Sequence, residues 1–124
     1  MVLGFKEQFV DKINLSSKIH TIRRDEHDRW KKGNSIQFAT GVRTKNYKCF
    51  GWGVCISTQT IEFKWGYGKE TVMIYVDGRL LDYKEVETLA INDGFEDWKA
   101  FTQWEAWDKK DFKGKIIHWT DKKY

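Results

Sequence analysis

The densest polar run in the chain is Lys18-Ile19-His20-Thr21-Ile22-Arg23-Arg24-Asp25, with an amine, an imidazole, a hydroxyl and two guanidinium groups inside eight residues. Side chains alternate on an extended segment, so Lys18, His20 and Ile22 share one face while Ile19, Thr21 and Arg23 share the other. Thr21 and Arg23 then look into the same hollow, and Lys18 reaches it only where the chain twists or bulges at the start of the strand. An amine beside a hydroxyl in a partly dry cleft can act as a base. Burial lowers the pKa of the ammonium, and the neutral amine takes the hydroxyl proton. Arg23 offers a planar fork for a carbonyl, a phosphate or a carboxylate. The same residues also describe an ordinary basic strand with threonine in a β-favoured place.

A carboxylate in Ala90-Ile91-Asn92-Asp93-Gly94-Phe95 is the second candidate. Asp93, at the junction of two expected helices, can face that hollow and pair with Lys18. With Glu96 three residues on, it also has the spacing of a capping box for the following helix. His20, His27 and His118 show no metal-ligand spacing with each other or with Cys49 and Cys55, and read as hydrogen-bonded structural residues. Gly51-Trp52-Gly53 lacks the helix and the Lys-Ser/Thr of a phosphate loop, and no Gly-x-Ser-x-Gly occurs. Neither a metal nor a cofactor is expected. Trp30, Tyr47 and Trp52 are candidates to stack on bases beside Arg43 and Lys45. Trp30 and Trp52 suit the core better, whereas Tyr47 has basic neighbours.

The elements that must hold these groups fit into 124 residues, enough for one domain (1–124) and one core. Net charge is +4, unevenly spread: residues 1–50 carry eleven Lys/Arg against five Asp/Glu, and the remainder balances at −2. A basic front half favours a phosphate-bearing partner, though a solvated charged surface has the same composition. No apolar run approaches the roughly 20 residues of a membrane span. Lys6 and Glu7 interrupt what would be the apolar stretch of a signal, so a cytoplasmic protein with reduced cysteines is expected. The periodicity predicts a short strand at Val2–Leu3, a helix over 5–13, an extended segment over 18–23 and a strand over 35–40. A β-rich region follows over 47–65, then strands over 71–76 and 79–81 around an Asp77-Gly78 turn. Helices over 83–91 and 96–107 and a closing strand over 114–119 complete the order. With no βαβ rhythm, this reads as an α+β fold whose mixed or antiparallel sheet curls into a small barrel with helices at its ends.

Three segments together resemble the ASCH domain: Lys18 to Arg23 for its Lys-x-x-Thr-x-Arg, Trp30 to Phe38 for its Gly-Asp-x-Ile strand, and Leu89 to Phe95 for its Ala-x-x-Glu-Gly. The resemblance spans most of the chain, with Gly41 to Gly53 and the C-terminal helix less typical. It implies a PUA-like β-barrel and an RNA or modified-nucleoside partner. Some members are amidohydrolases that cleave N(4)-acetylcytidine to cytidine and acetate, and a ribonuclease activity is also attributed to the family. Carried over by motif, Thr21 is the nucleophile, Lys18 its activator, Asp93 the acid/base partner, and Arg23 orients substrate. Asp93 stands where the pattern has Glu; the side chain is one methylene shorter, about 1.5 Å of reach, where catalytic geometry tolerates about 0.5 Å. The alternative is a non-catalytic RNA-binding module gripping its ligand through Arg23, Arg43, Lys45 and Tyr47.

Overall fold

Ile36 and Phe38 alternate with more polar neighbours along Ser35–Thr40, and both are buried. A computed structural model describes residues 1–124. It places this segment as a strand, β3, at the centre of a three-stranded sheet. On one side β1 (Val2–Gly4) runs parallel to β3, and on the other β4 (Lys48–Val54) runs antiparallel. A bulge at Phe50 shifts the β3–β4 register between Phe38 and Ala39.

The second sheet has five antiparallel strands in the order β2 (His20–Arg23), β8 (Phe112–His118), β5 (Ser57–Trp65), β6 (Val72–Val76) and β7 (Arg79–Leu80). The β6–β7 turn is made by Asp77 and Gly78, with φ of 50° and 80°. Both angles are positive, as a two-residue type I′ hairpin requires. The closing strand lies between β2 and β5, and its Ile116 and Ile117 are fully buried.

The β-rich region over 47–65 is therefore two strands belonging to different sheets. The chain passes between them at Cys55-Ile56. There Cys55 N–H donates to Asn34 O, Cys55 O accepts from Gly33 N–H, and Ile56 N–H donates to His118 O. These bonds stitch the sheets together at a corner without closing one ring of strands. Both sheets contribute to one cluster of 20 buried apolar residues.

The expected first helix, 5–13, begins later than its apolar spacing suggests. Phe5 is still extended, its N–H donating to Ala39 O, and a 3-10 turn (Glu7–Phe9) leads into α1 (Val10–Asn14). Helix α2 (Tyr83–Asn92) buries Leu89 and Ala90 as its periodicity predicts. It starts from a capping box in which Asp82 Oδ1 accepts from Glu85 N–H and Glu85 Oε1 accepts from Asp82 N–H.

The expected helix 96–107 is broken. Its first part is α3 (Trp98–Thr102), and a 3-10 turn follows at Glu105–Trp107. Trp104 leaves the helical region (ψ 124°), which packs its ring against Phe9 and Phe95 at 5.9 and 5.3 Å between centroids. Trp107 Nε1–H then reaches back to Phe101 O at 2.8 Å. Aromatic packing has outweighed continuation of the helix, and Trp98, expected in the same stack, stays half-exposed.

Candidate functional site

Helix α2 ends at Asn92, and Asp93 turns its side chain inward. The expected capping role does not materialise, because α3 is capped by Asp97, whose Oδ1 accepts from Ala100 N–H at 2.7 Å. Asp93 is 4% exposed, and Lys18, reaching it from the other side of the junction, is 2% exposed. Lys18 Nζ donates to Asp93 Oδ1 at 3.0 Å and to Asp93 O at 2.6 Å. Strand β2 begins only at His20, so Lys18 escapes the strict alternation of the ladder. Its N–H donates to Lys12 O and the next N–H, of Ile19, to Asn92 O, which draws the segment towards the end of α2.

Lys18, Thr21, Arg23 and Asp93 line one cavity of about 320 Å³. That is near the lower end of small-molecule sites, which run from about 300 to 1,000 Å³. Its walls are aromatic, with Phe5, Phe9, Phe95, Trp104 and Trp107 among the lining residues. The rings meet edge to face, Phe9 on Phe95 at 5.6 Å. Such walls suit a planar, weakly polar ligand and exclude water from the polar groups beneath.

The Thr21 hydroxyl accepts from Arg23 Nε–H at 3.3 Å, and the Arg23 Nη2 donates to Gly4 O at 2.7 Å. Arg23 also lies over the Phe5 ring, its Cζ 5.0 Å from the centroid. The guanidinium is thus oriented before any ligand arrives. Thr21 and Lys18 share the cavity, but no hydrogen bond joins them, and Thr21 is tied instead to the arginine.

Burial pushes the Lys18 ammonium below its ordinary pKa, with Asp93 opposing and Arg23 and Lys12 assisting. Burial by itself would raise the Asp93 carboxyl. The charge of Lys18 and the hydrogen bond from His20 outweigh it, and Asp93 is held below the usual carboxylate range. The resting pair is therefore an ion pair whose ammonium is easier to deprotonate than a solvated lysine.

Two further groups belong to this site. His20, completely buried, stands 3.1 Å from Asp93 Oδ1 through Nδ1 and 2.6 Å from the Tyr124 hydroxyl through Nε2. On sequence alone His20 reads as a hydrogen-bonded structural residue, and Tyr124 is not singled out. The alternation that sets His20 on the same face as Lys18 was the available signal for the first; nothing local marks the second.

Arg43, Lys45 and Tyr47 are not brought to the cavity. They lie exposed on the β3–β4 connection, Tyr47 at 47%, and none lines the cavity wall. Trp30 is buried as expected, but Trp52 stands out from β4 at 69% exposure, contrary to its expected place in the core. Its ladder partner is Gln37, and β4 is an edge strand. Cys49 and Cys55 are both free. No three His, Cys, Asp or Glu side chains group as a metal site would need. No helix is long and apolar enough to cross a membrane.

A wider groove of about 820 Å³ runs between β6, β7 and the α2–α3 pair, with Trp65, Met73, Leu80, Tyr83 and Trp98 along it. It has volume but no buried, mutually bonded polar groups. The smaller cavity is the one equipped for chemistry. Comparison with known proteins adds no guide: no family model, curated protein or solved structure matches this chain.

Proposed function

We propose that the cavity holds a modified nucleoside and that the protein is an ASCH-type amidohydrolase of N(4)-acylated cytidine. The supporting observation is the desolvated Lys18–Asp93 pair opening onto the same aromatic-walled cavity as the Thr21 hydroxyl. In this reading neutral Lys18 takes the Thr21 proton as Thr21 Oγ1 attacks the acyl carbon. The resulting ammonium gives that proton to the departing N4 amine as the carbon–nitrogen bond breaks. Water then attacks the threonyl ester, Asp93 accepts the water's proton, and the proton returns to Thr21 Oγ1 as the acid leaves. In this reading Arg23 Nη1, which has no protein hydrogen bond, steadies the developing oxyanion. The two sheets, joined at Cys55-Ile56, would be the halves of the PUA-like barrel that goes with this family.

The test is a product assay on a panel of acylated nucleosides. Release of the free acid by the wild-type protein, and none by Thr21→Val, is expected. Equal release by both proteins refutes the proposed nucleophile; release by neither refutes the hydrolase.

A second reading, a non-catalytic RNA-binding module, is favoured by the exposed Arg43, Lys45 and Tyr47 outside the cavity and by the exposed Trp52. Salt-dependent RNA binding with no product formed would support it.

A further inference from the structure

His20 is enclosed by groups that leave it only one consistent arrangement of protons. Asn92 Nδ2–H donates to the Tyr124 hydroxyl oxygen at 3.0 Å. The Tyr124 O–H then donates to His20 Nε2 at 2.6 Å, and His20 Nδ1–H donates to Asp93 Oδ1 at 3.1 Å. Reversing the ring's tautomer would turn a nitrogen lone pair towards a carboxylate. A doubly protonated ring would need the phenol oxygen to accept from both Asn92 and His20, leaving the phenol proton without an acceptor. Burial and the nearby Lys18 ammonium also disfavour a cation here, and they outweigh Asp93 and the backbone hydrogen bond, which favour it.

Tyr124 is itself anchored. Its N–H donates to Gln59 Oε1 at 2.9 Å and its main-chain oxygen accepts from Gln59 Nε2 at 2.8 Å. Gln59 Oε1 also accepts from His118 Nε2–H at 3.0 Å. The phenol is thus aimed at His20 by a fixed backbone. At the other end, Asp93 Oδ1 receives both Lys18 and His20, whereas Oδ2 has no protein partner. Asp93 lines the cavity, so Oδ2 is the oxygen left for a ligand or a water.

We infer that His20 is the positioning residue of this site: locked by Tyr124 and Asn92 as the neutral Nδ1–H tautomer, it orients the Asp93 carboxylate and keeps it ionised while Lys18 exchanges its proton. The inference rests on the hydrolytic reading of the cavity for its catalytic consequence, but the lock itself is independent of any substrate. A carboxylate held by lysine alone would be free to pick up a proton whenever the amine loses its own. The second donor weakens that coupling.

The lock is tested by nitrogen-15 NMR of the histidine rings in the wild-type protein and in Tyr124→Phe. The expected wild-type result is a neutral Nδ1–H ring for His20 from pH 8 down to 5, with a mixture of tautomers in Tyr124→Phe. An Nε2–H ring, or ordinary titration near pH 6.5 in the wild type, would overturn the inference whether or not turnover is ever found. The catalytic consequence is tested by kinetics. Tyr124→Phe and His20→Leu are expected to lower kcat by about 10–100-fold, with KM little changed and the acid limb of the pH profile moved upwards. His20→Asn, whose amide can donate in place of Nδ1–H, should recover part of the loss. Unchanged pH profiles in all three variants would sink the positioning role while leaving the hydrolase standing. A locked ring in a protein that hydrolyses no acylated nucleoside would instead sink the hydrolase and, with it, the catalytic half of the inference.

Discussion

Lys18 Nζ contacts both the side chain and the main-chain oxygen of Asp93, at 3.0 and 2.6 Å, across 75 positions of sequence. The double contact ties the start of β2 to the end of α2, and makes the ion pair a structural joint. Removing one partner strands a buried charge, which costs about 3–5 kcal/mol, while replacing both by apolar groups of similar volume is often near neutral. Lys18→Met is therefore expected to lower stability by that amount in urea unfolding, and Lys18→Met/Asp93→Leu to recover most of it. A loss below about 1 kcal/mol in the single variant would show that the pair is hydrated in solution.

Thr21 carries the cleaner catalytic test because its hydroxyl has one partner, Arg23. Thr21→Val should cost about 1 kcal/mol of stability and reduce turnover to the background rate. Thr21→Ser retains the hydroxyl and should remain active. Parallel unfolding and acid-release measurements separate the two effects.

Stability should fall between pH 6.5 and 4. Burial, with the fields of His20 and Lys123, lowers the His118 pKa to about 4, Asp77 opposing. Its folded pKa is below the unfolded value near 6.5, so the unfolded chain binds more protons throughout that window. Stability is complete above it and is lost as the pH drops, by about 2–3 kcal/mol in all. His20, also lowered, adds in the same direction. Asp93, held below its ordinary value, contributes stability that disappears only below about pH 4. Urea midpoints measured across pH 4–8 should show the slope, and His118→Gln should flatten it.

Gly94 carries φ of 95°, and a Cβ there would stand 3.0 Å from both Lys18 Cδ and the Phe9 ring. Gly94→Ala combines a strained backbone with pressure on the Lys18 side-chain stem, and should cost about 1–3 kcal/mol. Ligand affinity should fall with it, because Lys18 and Phe9 both line the cavity. Thermal unfolding alongside nucleoside binding checks this. Unchanged affinity would show that the lysine stem yields without moving its head.

Arg43→Glu/Lys45→Glu distinguishes the two functional readings. Both residues lie outside the cavity, so nucleoside hydrolysis should be unaffected. RNA binding, if it uses this connection, should weaken and lose about two units of its salt dependence. A fall in nucleoside turnover would place the loop over the cavity mouth.

Much of the local architecture was legible in residue order. The alternation of Ile36 and Phe38, the Asp77-Gly78 turn and the buried face of α2 all follow from periods of two and 3.6 and from turn chemistry. Thr21 and Arg23 were also correctly set together, because they are two apart on a strand. The helix over 96–107 was misread for an equally local reason. Its spacing suits a helix, but Trp104 finds better packing against Phe9, some ninety residues earlier, than it would by continuing the turn.

The chain's own order of residue types thus sets which segments extend, coil and turn, and which chemical groups are on hand, since those depend on near neighbours and intrinsic conformational preference. Which groups meet is another matter. Asp93 passed from a capping position to a buried counter-ion, Trp52 ended on an edge strand facing water, and His20 found a phenol 104 residues away. The first and last depend on β8 coming to lie between β2 and β5 and on the end of α2 closing over Lys18, and the exposure of Trp52 depends on β4 pairing with β3 alone. Hydrogen bonds and desolvation act over a few ångströms in space, and separation along the chain carries no trace of that distance until the sheets have formed.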